Sequence, residues 1–319
     1  MNASVDGHYL ALSGGVGGAK LALGLSHCVP AEQLTIVANT ADDFQHYGLH
    51  IAPDLDTVMY TLAALSNQEL GWGLAGETWQ FLEAMERLGE PTWFRLGDRD
   101  LATHVFRTSR LAAAATLAEV TAELCQRLNI GPRILPMTND PVSTQVLTDE
   151  GRLGFQDYFV RRQCEPAVSG FEFAGIEQAQ PLPELMAALE DPQLRAVVIC
   201  PSNPFVSIDP ILGLPGVRIA IRNTAAPVIA ISPIVAGLAI KGPAAKMMAE
   251  LGIPVTAAAV AEYYEGLIDC FVVDESDATL APMIETENMS VAVRPTIMKS
   301  LDDRVSLGQA VLALAEELT

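Results

Sequence analysis

The sequence predicts a Rossmann-like α/β domain: a doubly wound, mostly parallel sheet carrying a helical insertion and a β-hairpin addition. Three observations point there. Short apolar runs of strand length alternate with segments of helical periodicity. The glycine-rich run SGGVGGAK at 13–20 lies between the first strand and the first helix. Polar clusters then recur directly after apolar runs, at the strand ends where such sheets bind ligands.

Residues 9–12 are a short apolar strand ending in the glycines, and 19–28 read as a helix. A second apolar strand, 34–38, ends at Asn39. Segments 56–65 and 78–88 have helical periodicity. Thr116, with Glu119 three residues on, matches a capping box and opens a helix to about residue 128. Runs 133–135, 196–200 and 228–231 have the composition of buried strands. Between 144 and 160, two apolar runs flank Asp149-Glu150-Gly151 and read as a hairpin, an antiparallel addition to the main sheet. The stretch 71–108 mixes helix and loop, holds all three tryptophans, and reads as an insertion. With no repeats, low-complexity tracts or long linkers, residues 1–319 are expected to form a single domain.

Half of the residues are hydrophobic and 18% are charged, which supports a sizeable core. The formal charge of −20 argues against nucleic acid as a partner, because phosphate backbones need a basic stripe. It leaves room for a small anion, since a few local cations or a bound metal can reverse the field in one cleft. Apolar stretches are short and broken by Pro, Gly or charge, and no basic region leads into an apolar one at the N-terminus. The expectation is a soluble, cytoplasmic protein with no membrane partner. Five cysteines without a C-x-x-C pair read as buried thiols.

The glycine run fits neither standard phosphate fingerprint. Lys20 stands where a dinucleotide fold has its third glycine, and Ala19 and Leu21 flank that lysine where a P-loop needs Gly and Ser/Thr. Asn39 also replaces the ribose-binding acid of NAD domains. Alone, the run indicates phosphate or nucleotide, with a ligand-free tight turn as the bland alternative. Asp42, Asp43, Asp54 and Asp56 fall within residues 42–56. Carboxylates on loops beside a strand end can hold Mg²⁺, which completes its shell with water and phosphate. Helix capping explains one of them, not four. Residues 93–104, WFRLGDRDLATH, combine aromatics, arginines, aspartates and His104; arginine matches phosphate geometry and an aromatic can flank a planar ring. A salt-bridge cluster over a buried Trp is the competing reading, and His104 alone reads as structural. MTND at 137–140, PSNP at 201–204 and SPIVAG at 232–237 add three more polar strand-end loops, and Lys241 is a candidate cation beside them.

Taken together, these residues resemble the 2-phospholactate transferase family of coenzyme F-420 biosynthesis. The matching blocks are SGGVGGAK (13–20), NTADD (39–43), PDLDT (53–57), residues 93–108, PSNPF (201–205) and residues 232–243. One departure is Ala236, where the family pattern has a second glycine. The resemblance implies a donor carrying a three-carbon phospho-acid (phospholactate, phosphoenolpyruvate or phosphoglycerate) linked through diphosphate to guanosine. It implies the deazaflavin Fo as acceptor, with its terminal ribityl hydroxyl attacking phosphorus and GMP leaving. Ser13, Gly14, Gly15, Gly17, Gly18, Lys20, Ser202 and Asn203 would then bind the nucleotide and phosphates. Asp43 and Asp54 would hold Mg²⁺. Asn39, Asp54, Asp98 and Arg99 would bind Fo, with the 71–108 insertion forming part of that site. Asp54, Asp56 and Arg99 are the catalytic candidates, and a homodimer is the family-level expectation. The rival readings are a nucleotide-sugar-binding regulator of the same superfamily, without catalysis, and an NAD-dependent oxidoreductase.

Overall fold

Seven parallel strands form the central sheet in a computed structural model of the chain, which describes residues 7–69 and 71–319. The first half of the chain contains β1 (His8–Ser13), α1 (Gly15–Ser26), β2 (Leu34–Ala38), β3 (Phe44–His46), β4 (Leu49–Ile51) and α2 (Pro53–Leu62). It continues with α3 (Gln80–Arg87), α4 (Asp100–Ala112), α5 (Leu117–Arg127), β5 (Arg133–Pro136), β6 (Ser143–Thr148), β7 (Gly151–Gly154) and β8 (Val168–Ala174). Then come α6 (Pro183–Glu190), β9 (Leu194–Ile199), α7 (Asp209–Gly213), α8 (Val217–Asn223), β10 (Val228–Ile231), β11 (Ile234–Val235) and β12 (Leu238–Ala239). The last are α9 (Ala244–Glu250), α10 (Ala257–Tyr263), β13 (Cys270–Val273), α11 (Ala281–Ile284), β14 (Ser290–Val293) and α12 (Leu301–Glu317).

The sheet order is β14-β13-β10-β9-β1-β2-β5. From β1 the chain winds outward through β2 to β5, then returns to β9 beside β1 and winds the other way. That reversal opens a crevice at the carboxyl ends of β1 and β9, the position where doubly wound sheets bind ligands. The central strands are apolar without alternation because helices cover both faces. Leu10, Leu12, Val197 and Ile199 pack to one side, and Ala11, Ile36, Val198 and Ile229 to the other. On the second face α1 meets α12 almost backbone to backbone: a Cβ on Gly24 would lie 2.0 Å from the Arg304 carbonyl oxygen.

The 144–160 segment differs from expectation. β6 and β7 do form a hairpin, but it pairs with β8 in a separate three-stranded antiparallel sheet, not with the main sheet. After Gly154 the strand gives way to a helical turn at Asp157–Arg161, because Phe155 and Tyr158, three residues apart, both reach the core. Among the described residues no single helix is long and apolar enough to cross a membrane. All five cysteines are free thiols, with Cys125, Cys200 and Cys270 buried.

The insertion is fastened to the sheet by charge. Arg107 of α4 is 1% exposed and makes a two-pronged contact with Asp56 of α2. His104 lies 3.6 Å from Asp56 and 3.3 Å from Asp100, and Tyr60 donates to Asp100. Burial alone would raise the Asp100 carboxyl, but His104, the Tyr60 hydroxyl and Arg107 outweigh it and hold it low. His104 is therefore structural. Asp56, Asp100 and His104 bring possible metal-ligand atoms within 4.8 Å of one another, yet the guanidinium already neutralises Asp56.

Two predictions follow from these contacts. Breaking a buried pair strands the surviving charge, so Arg107→Met should cost about 3–5 kcal/mol in urea unfolding. Adding Asp56→Asn should cost less than the two single losses combined. A fully additive cycle would show that the pair is not coupled. Ala236 sits at φ +50°, in the left-handed region that favours glycine, with its amide on Asp277 at 2.9 Å. Ala236→Gly should raise the unfolding free energy by about 0.5–1 kcal/mol, the relieved strain exceeding the added chain entropy. A lower melting temperature would contradict this.

Candidate active site

Asp54 stands at the crevice, in the first turn of α2. One carboxylate oxygen accepts the Gly15 amide at 2.7 Å and the other accepts the Asn39 side-chain amide at 3.0 Å. Asn39, fully buried, also donates to the Val206 carbonyl at 3.3 Å and accepts from Ala41 at 2.9 Å. Ser202 accepts from the Gly14 amide at 3.1 Å and donates to the Gly14 carbonyl at 2.8 Å. The loops after β1, β2 and β9 are thus hydrogen-bonded around one carboxylate.

A second carboxylate faces it. Asp42 is pushed well above the usual carboxylate range, first by burial and then by the charge of Asp54. Burial also raises Asp54, with Asn39 and the Gly15 amide pulling back. Among the described residues neither carboxylate forms an ion pair with a basic side chain. One Asp42 oxygen is buried without a partner. Asp43, the sequence-level choice of metal ligand, is instead paired with His50 at 3.0 Å. Burial pushes the Asp43 carboxyl up to about 6 despite that histidine and Arg107. Two buried carboxylates with an orphaned oxygen and no counter-charge fit a divalent cation. The sequence offers Asp42 as one of four acids without singling it out, because adjacent acids on a loop present no periodicity that selects one.

Several other candidates have partners or packing roles within the chain. Asp56, a catalytic candidate from the sequence, is paired with Arg107. Gly17 and Gly18 are glycines for packing: a Cβ there would lie 2.3 Å from the Pro201 carbonyl oxygen and 2.5 Å from the Ser13 hydroxyl. A Cβ on Gly14 would strike Ser207. Of the four, only Gly15, at φ +63°, faces open space. Ser13 is buried, and its hydroxyl has no partner. Asn203 caps the following turn by accepting from Phe205 at 3.0 Å. Lys20 donates to the Met298 carbonyl at 2.9 Å.

Asp98 and Arg99 lie on the insertion. Asp98 accepts from the Thr78 hydroxyl and the Gln80 and Phe81 amides at the start of α3, and these bonds, Thr78 foremost, hold its carboxyl low. Arg99 is exposed, and its guanidinium donates to the Ala75 carbonyl at 2.6 Å. No hydrogen bond or ion pair joins either to Asp42 or Asp54. Trp93 and Phe94 pack on the β3–β4 hairpin around Phe44 and His46, at ring separations of 4.8–6.0 Å.

Comparison with known proteins agrees with this architecture. A family model described as 2-phospho-L-lactate transferase CofD matches residues 10–306. The phosphoenolpyruvate transferase of Streptomyces coelicolor is 41% identical over 313 residues, 96% of this chain and 98% of its own. The 2-phospho-L-lactate transferase of Methanosarcina mazei is 38% identical over 300 residues, 94% of this chain and 98% of its own. A crystal structure of a UPF0052 family member from Bacillus halodurans covers 96% of this chain and 99% of its own, with a TM-score of 0.61. At 16% identity that likeness concerns the fold. Since the matched region takes in every strand-end loop of the crevice, the chain belongs to the 2-phospho-L-lactate transferase CofD family and is a transferase.

Proposed function

We propose that this transferase moves a phosphorylated three-carbon acid from a guanosine-diphosphate-linked donor to the terminal ribityl hydroxyl of the deazaflavin Fo, in coenzyme F-420 synthesis. The observation that carries the reading is the Asp42–Asp54 pair, buried without counter-charge at the switch point of the sheet. Asp42 and Asp54 would hold Mg²⁺, which when bound offsets the negative charge of the diphosphate. This replaces the pairing of Asp43 with Asp54 expected from the sequence. The hydroxyl oxygen forms a bond to the phosphorus bearing the three-carbon acid. The bond from that phosphorus to the bridging oxygen breaks, and GMP leaves with the electron pair. Asp54 accepts the hydroxyl proton: its oxygens each bind one fixed donor and retain a free lone pair. The Gly15 amide and Asn39 keep that carboxylate oriented. The direct test supplies Fo with guanosine linked through a two-phosphorus bridge to lactate, enolpyruvate or glycerate, and weighs the product. Absence of a phosphodiester from all three would refute the reading.

The carboxylate pair gives a test that does not depend on turnover. Asp42→Asn removes a buried charge that repels Asp54, so in excess chelator it should be more stable than the wild type, by about 1–3 kcal/mol. Mg²⁺ should raise the melting temperature of the wild type and not of this variant. The sign with pH follows from the raised carboxyls. Neutral Asp42, Asp43 and Asp54 favour the fold at low pH, so metal-free stability should fall as pH rises through their folded-state values, about 6 for Asp43. Stabilisation by Mg²⁺ should grow over the same range. Asp54→Asn should lower turnover by about a hundredfold or more. Full activity in excess chelator would remove the metal from the reading.

Arg99, exposed on the insertion, is assigned to acceptor binding. Arg99→Ala should raise KM for Fo several-fold with kcat little changed, and Arg99→Lys should not restore it. A fall in kcat at constant KM would place the guanidinium on the transferred phosphate instead.

A further inference from the structure

Three cations gather along α1 in a chain that has 39 acidic residues against 19 Lys and Arg. Lys20 lies one turn beyond Val16 and one turn before Gly24, so it shares their side of the helix. The tight contact at Gly24 sets the start of α12, and with it Arg304, beside Lys20. From the other direction, the Lys241 ammonium and a Val16 methyl both come within 3.7 Å of the point a Cβ on Gly71 would occupy. Two of the charges act on the third: burial holds the Lys20 ammonium below its usual range, and Arg304 and Lys241 lower it further.

The one acid whose charge favours the Arg304 guanidinium is its chain neighbour Asp303, which does not outweigh burial. Among the described residues neither Lys20, Lys241 nor Arg304 forms an ion pair, although twelve other basic side chains do. Asp303, next to Arg304, is occupied in capping α12, accepting the Lys299 amide at 2.9 Å and the Ser300 amide at 2.7 Å. Arg304 itself is 6% exposed; its guanidinium donates to Gln68 at 2.9 Å, and its Nε is buried with no partner. A nearly buried arginine with an unused donor, beside two further cations, is a costly arrangement unless an anion completes it. The charges that act most on Lys20 are those of Arg304 and Lys241. The cluster borders the N-terminal turn of α1, where the helix dipole adds to the attraction for an anion.

We propose that Lys20, Lys241 and Arg304 form an anion site that takes phosphate oxygens, which in the transferase reading above belong to the donor. The site explains why the loop around Gly71 and the segment around Lys241 approach α1 at the same point. The ligand bridges them, with Gln68 holding the guanidinium in place from the loop side.

The test is calorimetric titration of the whole chain with inorganic pyrophosphate in excess chelator, so that the carboxylate pair takes no part through a metal. The wild type should bind, and more weakly as salt is raised. Lys20→Met and Lys241→Met should each weaken binding by about tenfold or more. Both lysines lie outside the core, and unchanged circular dichroism would show that the variants are folded; Arg304 is left intact because it packs between α1 and the loop. Competition by GDP or by phosphoenolpyruvate would show which end of the donor the site holds, and either supports it. Absence of saturable pyrophosphate binding, or wild-type affinity in both lysine variants, overturns the proposal. Its fate is separable from that of the transfer reaction. Lysine-dependent pyrophosphate binding without transfer to Fo would leave the site standing and remove the transferase reading. Normal transfer, with donor KM and pyrophosphate affinity unchanged in both variants, would do the reverse.

Discussion

The hold on Asp54 is the constraint around which the crevice is arranged. A carboxylate taken out of water and set beside another carboxylate loses several kcal/mol of hydration, which neutral donors recover only in part. Here those donors are the first amide of α1 and the side chain of Asn39. Much of the local sequence follows. β2 must end in an amide, since a second acid there would add to the repulsion. Gly14 must lack a side chain so that the β1 turn can lie against Ser207 and Asp54. Gly17 and Gly18 bring α1 close to Pro201 and Ser202, which keeps its first amides aimed into the crevice.

Two acids of the run PDLD meet opposite fates because of helix geometry. Positions two apart on a helix point roughly 200° away from each other. Asp54 therefore faces the strand ends, and Asp56 faces α4, where Arg107 neutralises it. The first pair of carboxylates has no counter-charge within the chain, and the second is balanced by its own arginine. That contrast separates a site that needs a ligand from a network that fastens an insertion. It also means that the Arg107 network can anchor α4 without drawing on the charge at the crevice.

The strands were legible where long runs of apolar residues end in polar loops: β2 and β10 coincide with 34–38 and 228–231. The capping box at Thr116 is formed as expected. The C-terminal strands β13 and β14 escaped notice, although β13 leads directly into the acidic run Asp274-Glu275-Ser276-Asp277. The hairpin's turn was readable from Asp149-Glu150-Gly151, but its sheet was not, since β8 supplies the partner from fourteen residues beyond β7. Within the site, residue type pointed to carboxylates and burial chose among them. The pattern NTADD does not tell Asp42 from Asp43; the difference is that His50, on the neighbouring β4, reaches only the second. Gly17 and Gly18 show a related limit: a glycine that admits a phosphate and one that admits a carbonyl oxygen look alike in sequence.

An acidic protein that binds an anionic donor must overcome its own field locally. At physiological salt, charges more than about 8 Å apart across solvent are largely screened, so the net charge of −20 matters less than the few groups at the crevice. Those groups are sorted by sign. The uncompensated acids face the loops after β1 and β2, and the uncompensated cations line the side of α1 that carries Lys20. Each set alone raises the energy of the ligand-free fold. An anion chelating a divalent cation lowers both at once, because its metal answers the carboxylates and its oxygens answer the lysines. The repulsion stored on either side of α1 thus favours a ligand that carries both charges over either ion alone.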